Sequence, residues 1–207
     1  MVAVITGDII NSRTRTNQDA WMKPLKRIFS KYGKMPATWE IFRGDSFQLE
    51  ISDPSQALLT ALEIKATIKS QEGLDIRMSI GIGEKNYTAK RITESNGEAF
   101  IASGEAFNQL PQQKRTLVIV TPWAAFNEAI DVMLKLAAIP MDKWTPLMAE
   151  IVKASIENPN SIQSDIASKL KRKSQSDIST GRRRAAYEEI MAMENYFRSY
   201  IHKMTLT

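Results

Sequence analysis

Residues 2–10, VAVITGDII, are apolar apart from Thr6 and Asp8. A nearly unbroken Val/Ile run predicts a central β-strand covered on both faces. Thr16 to Asp19 has the spacing of a capping box and predicts a helix to about Tyr32, ended by Gly33 and Pro36. Residues 38–43 and 46–52 alternate around Gly44-Asp45 and predict a β-hairpin. Pro54 opens a helix over about 55–71, with Leu58, Leu59, Leu62, Ile64 and Ile68 as its apolar face and Gly73 as its stop. DIRMSIGI at 75–82 predicts another strand. After a loop, a helix is expected from Gly97 to Gln109, ended by Pro111. Its GEAF repeat, at 97–100 and 104–107, sets Phe100 and Phe107 two turns apart on one packed side. LVIV at 117–120 predicts a last strand, followed by a helix over 122–138.

Beyond Ala138-Ile139-Pro140 no strand pattern remains. Helices are expected at 142–157, stopped by Asn158-Pro159, at 161–171, and from Ser174 as far as His202. The pattern thus predicts an α+β domain over 1–140, a ferredoxin-like sandwich of the split-βαβ kind, followed by a small all-α domain over 141–207. Trp39 and Phe47 are expected in the core, Trp123 and Trp144 at the domain boundary, the ten methionines as core filling and His202 exposed. Tyr187, Tyr196, Phe197 and Tyr200 fall at helical spacings. They suit either a homodimer seam or packing within the chain.

Composition narrows the chemistry. There is no cysteine and one histidine. Disulfides, thiolate metal sites and a cysteine nucleophile are excluded, and a histidine-based triad or metal cluster is disfavoured. No signal-peptide pattern or membrane-length apolar run is visible, so a cytoplasmic protein is expected. Net charge is +5. Lys171–Arg184 concentrates six basic residues against one acid, Asp177. That is a local patch of the kind that meets phosphates.

Two motifs carry candidate chemistry. Asp8 ends the first strand and Asp45 sits at the hairpin tip. If the sheet sets these strands side by side, the two carboxylates and the backbone carbonyl of Ile9 suit Mg²⁺ or Mn²⁺. Asn11, Ser12 and Arg13 after the strand, with Arg43 and Gly44 at the hairpin, would then meet a nucleoside triphosphate or signalling nucleotide. Taken singly, a Gly-Asp hairpin is also an ordinary turn.

The second motif is helix-turn-helix-like. Ile162, Ile166, Ala167 and Leu170 supply a packing face, and Ile178 anchors a second helix. Ser174, Gln175, Ser176, Ser179 and Thr180 would point outward to duplex DNA, with Lys171, Arg172, Lys173, Arg182, Arg183 and Arg184 on its phosphates. Gly181 would mark a bend or an end.

TGDII, RGDSF and IRMSIGIG, in that order, resemble the palm-type fold of class III nucleotide cyclases and diguanylate cyclases over residues 2–110. The resemblance implies that Asp8 and Asp45 bind metal. The sequence departs from the pattern at Asn108, at the single Gly44, at Ser46 and in lacking an arginine on the 97–109 helix. Nucleotide binding without cyclisation is therefore expected. Over nearly its full length, through VITGDIINSR, RGDSFQ, GEAF and the tail from Trp144 to Tyr187, the chain resembles the SatD family, which implies architecture more than chemistry. The leading functional expectation is a nucleotide- and metal-responsive DNA-binding regulator. An active nucleotidyl cyclase and a non-catalytic interaction protein are the alternatives.

Overall fold

The computed structural model describes residues 1–14, 17–171 and 174–206, with the side chain of Thr14 also outside the description. It is an α+β protein. Strand β1 (Val2–Ile10) is followed by α1 (Asp19–Phe29), β2 (Trp39–Phe42), β3 (Ser46–Ile51), α2 (Ala57–Lys69) and β4 (Asp75–Gly83). Then come the short pair β5 (Lys85–Tyr87) and β6 (Asn96–Gly97), α3 (Glu98–Gln113), β7 (Leu117–Val120) and α4 (Ala124–Met141). The chain closes with α5 (Pro146–Glu157), α6 (Gln163–Lys169), α7 (Gln175–Arg184) and α8 (Tyr187–Thr205). Thr16, expected to open the capping box, lies outside the described residues. No helix among them is long and apolar enough to cross a membrane.

The main sheet has the order β2-β3-β1-β4-β7. β1 lies between β3 and β4, antiparallel to both, and β7 joins β4 in parallel. Side chains alternate across the sheet. Ala3, Ile5 and Ile9 of β1, with Ile76, Met78, Ile80 and Ile82 of β4, enter the large core shared with α1, α2, α4, α5 and α8. The other face carries α3. There Ser103 of α3 donates to Thr6 Oγ1 at 2.8 Å, and Ser79 donates to the Ser103 carbonyl at 2.7 Å. The approach is close because the strand offers Gly81, where a Cβ would collide with backbone atoms of Ala99 and Ser103.

Several expected boundaries move. α3 continues through Pro111 to Gln113 and ends on left-handed Lys114. A proline this near the helix end removes one backbone bond without stopping the last turn. α4 likewise contains Ala138, Ile139 and Pro140 and runs to Met141. α5 starts at Pro146 rather than 142, with Thr145 as its N-cap. The helix expected from Ser174 to His202 breaks at Ala186, which has a left-handed φ of 53°. That turn lets α8 fold back, so that Tyr200 stacks on Phe126 at 4.0 Å and 11°. Tyr187 and Phe197 are buried. Of the four residues considered for a seam, Tyr196 alone is exposed, at 41%.

α8 also carries a fully buried carboxylate, Glu194. Arg198 donates to its Oε1 at 3.0 and 2.8 Å, while Oε2 has no hydrogen-bond partner. Burial raises the Glu194 pKa and Arg198 only partly opposes this. A carboxyl raised in the fold is stabilising when protonated. Stability therefore falls as pH rises from the ordinary carboxylate range through the raised folded value. Glu194→Gln, which mimics the protonated form, is expected to raise Tm at neutral pH and to remove that decline. Thermal melts of both proteins from acid to neutral pH check this; parallel curves would refute it.

Candidate functional site

The sheet brings the two Gly-Asp motifs together. Asp8 pairs in register with Ser46, the residue after Asp45, and the Ile9 N–H donates to the Asp45 carbonyl at 3.2 Å. The two glycines serve different ends. Gly7 faces Phe47 across the ladder, and a Cβ there would strike its ring. Gly44 has open space around it but a φ of +89°, which a turn requires and glycine adopts without strain.

The carboxylates are already engaged. Asp8 lies opposite Arg77 of β4, which donates from Nε at 3.0 Å and from Nη2 at 2.5 Å. The hydrogen bond and charge of Asp8 raise the Arg77 pKa further. Both side chains share the sheet face that carries α3, two residues along their strands from Thr6 and Ser79. Asp45 accepts from the Ser12 hydroxyl at 2.6 Å, and the Asn11 amide donates to the Gly73 carbonyl at 3.1 Å. These contacts staple the loop after β1 to the hairpin and to the turn before β4. Arg13, Arg43 and Gly44 are exposed at its rim.

Sequence reasoning missed Arg77. One signal was available: its place in the alternation of IRMSIGI puts it on the face opposite the apolar one. A divalent cation at Asp8 would have to share it with a guanidinium. Among the described residues no group of three or more His, Cys, Asp or Glu side chains is placed to hold a metal ion. As arranged, Asp8 is held by Arg77 and Asp45 by Ser12.

The tail forms a compact three-helix cluster. Ile151 and Ala154 of α5, Ile166 and Ala167 of α6 and Ile178 of α7 make a small core, with Leu170 packed on it. Ile162, expected in this core, is 67% exposed because it precedes the first turn of α6. Gly181 neither bends nor ends α7. It is buried, and a Cβ there would meet the Ile151 side chain, so it sets how closely α7 approaches α5.

At the start of α7, Ser174 and Asp177 form a reciprocal capping box, with the Asp177 carboxylate accepting from the Ser174 N–H at 3.1 Å. Ser174 and Ser176 also share a hydrogen bond of 2.6 Å. Gln175, Ser176 and Ser179 are exposed, and Thr180 is half-buried. The basic residues divide. Lys171, Arg183 and Arg184 are exposed. Arg182 lies over the Tyr187 ring, 4.3 Å from its centroid, and pairs with Glu188 at 2.5 Å, so it is held inward. Arg172 and Lys173 lie outside the described residues.

No family model, no curated protein and no solved structure matches the chain.

Proposed function

We propose that this chain binds duplex DNA through α7, with α5 and α6 seating that helix and with Lys171, Arg183 and Arg184 on the phosphates. One observation carries the reading. α7 buries Ile178 and Gly181 against α5 and α6 while Gln175, Ser176 and Ser179 stay exposed on its N-terminal half. Such a helix suits the major groove, where exposed amide and hydroxyl groups meet base edges. In the same reading, β1-α1-β2-β3-α2-β4, with strand order β2-β3-β1-β4, is a ferredoxin-like, palm-type scaffold to which β7 adds a strand. The Asp8–Arg77 pair and the Ser12–Asp45 bond engage both carboxylates of the corner, so the reading assigns the chain no nucleotidyl transfer.

Titration of labelled random duplex with the full chain at two salt concentrations tests this. Each phosphate contact contributes about 0.9 to the slope of log affinity against log salt. Changing Lys171, Arg183 and Arg184 together to Ala is expected to lower that slope by about 2–3. All three are exposed, so Tm should hold. No binding at low salt, or an unchanged slope in the triple variant, would refute the reading.

A further inference from the structure

α4 turns an apolar stripe to solvent. Val132, Leu136 and Ile139 are 57%, 63% and 59% exposed and lie four and three residues apart, hence on one line of the helix. The same rhythm runs back through Ala129 and Ala125 and forward to Lys143. The opposite side of α4, with Phe126, Ile130, Leu134 and Met141, is in the core. Beside the stripe, a groove of about 540 Å³ separates α4 from α8, with Met133 and Pro140 on one wall and Met193 and Tyr196 on the other. A contiguous apolar surface of this kind marks an interaction site.

We propose that this face pairs with the same face of a second copy, α4 against α4 in antiparallel sense across a two-fold axis. Size complementarity is the first ground. The stripe grows from Ala125 and Ala129 to Leu136 and Ile139 along the helix. Antiparallel pairing sets Ala129 opposite Ile139 and Val132 opposite Leu136, so each layer joins a smaller side chain to a larger one. Parallel pairing would crowd one end and leave a gap at the other.

Charge is the second ground. Glu128 lies in the first half of α4 and Lys143 just beyond its end, whereas Asp131 and Lys135 pair with each other at 2.7 Å, and Asp131 also pairs with Arg115, within the chain. Asp142 is turned inward, accepting from the Nζ of buried Lys65 at 3.2 Å. Antiparallel pairing brings Glu128 toward the partner's Lys143, whereas parallel pairing sets Glu128 beside Glu128. A self-complementary face of this kind closes on two copies. The inference does not depend on DNA binding.

Sedimentation equilibrium of the full chain over a concentration series is expected to approach twice the chain mass of 23.4 kDa. A mass that stays at one chain throughout overturns the proposal, and is also the result expected if the face serves a different protein. Leu136→Asp places a charge on an exposed position and should leave the helical circular dichroism spectrum unchanged while abolishing the dimer. A dimer that survives this change overturns the assignment. The chain has no cysteine, so orientation is tested by mixing Val132→Cys and Leu136→Cys chains under mild oxidation. Antiparallel pairing predicts a mixed disulfide in preference to either homodisulfide. A preference for homodisulfides overturns it.

Discussion

Asp75→Ala is expected to cost about 3–5 kcal/mol, the range for removing one partner of a buried ion pair. Asp75 opens β4 and answers two lysines of α2. Its Oδ1 accepts from the Lys65 Nζ and its Oδ2 from the Lys69 Nζ, both at 3.1 Å. The Lys65 side chain is fully buried and that of Lys69 is 8% exposed. Thr116 and Asp142 also accept from Lys65, each at 3.2 Å, and the Asp142 carbonyl accepts from Lys69 at 3.0 Å. Without Asp75 the two ammonium groups would keep too few acceptors to offset their lost hydration. Adding Lys65→Met removes one of those charges at similar volume. The double variant is therefore expected to be more stable than Asp75→Ala alone. Urea unfolding of the four proteins of this cycle decides the matter, and additive losses would refute the coupling.

A chain ended at Pro140 is expected not to fold. The large core continues past that point through Met141, Trp144, Ala149, Val152, Ala185, Tyr187, Ile190, Met193, Phe197 and Ile201. Met141, Val152, Ile190, Met193, Phe197 and Ile201 alone account for about 9–18 kcal/mol at about 1.5–3 kcal/mol for each buried side chain. That matches or exceeds the whole stability of a typical domain, about 5–15 kcal/mol. The truncation would also strip Asp142 from Lys65. Circular dichroism and thermal melts of residues 1–140 should show no cooperative transition. A sharp transition near that of the full chain would establish an independent N-terminal unit.

Elements with strong periodicity were legible before any coordinate was known. The run Val2–Ile10, the hairpin around Gly44-Asp45 and the strand from Asp75 appear in the structure within a residue or two, because apolar alternation decides which face of a strand is buried. The adjacency of the two Gly-Asp motifs followed only if the sheet set the first strand beside the hairpin, which the β1–β3 pairing does. What their carboxylates touch was not legible. Arg77 comes from a strand almost seventy residues away, and its place opposite Asp8 depends on a register that the local sequence does not encode. Arg182 looked like its neighbours Arg183 and Arg184. Tyr187 and Glu188, brought round by the turn at Ala186, hold it inward.

α2 shows where sequence and tertiary structure part. By itself the sequence determined a helix over about 55–71 with Leu58, Leu59, Leu62, Ile64 and Ile68 as its apolar face, found in the structure as Ala57–Lys69. Its polar positions include Thr60, Glu63, Lys65, Thr67 and Lys69, and the helical pattern alone did not say what would cover them. The structure buries every one of them: Tyr32 and Lys31, just after α1, meet Thr60 and Glu63, and Asp75 and Asp142 meet Lys65 and Lys69. Partners from distant segments make this tolerable: Lys31 for Glu63 at 2.5 Å, and Asp75 and Asp142 for Lys65. Local pattern sets which conformation each segment adopts, since periodicity and caps act within a few residues. Whether a polar face meets water or another helix depends on surfaces assembled from remote parts of the chain, and only the packed molecule decides that.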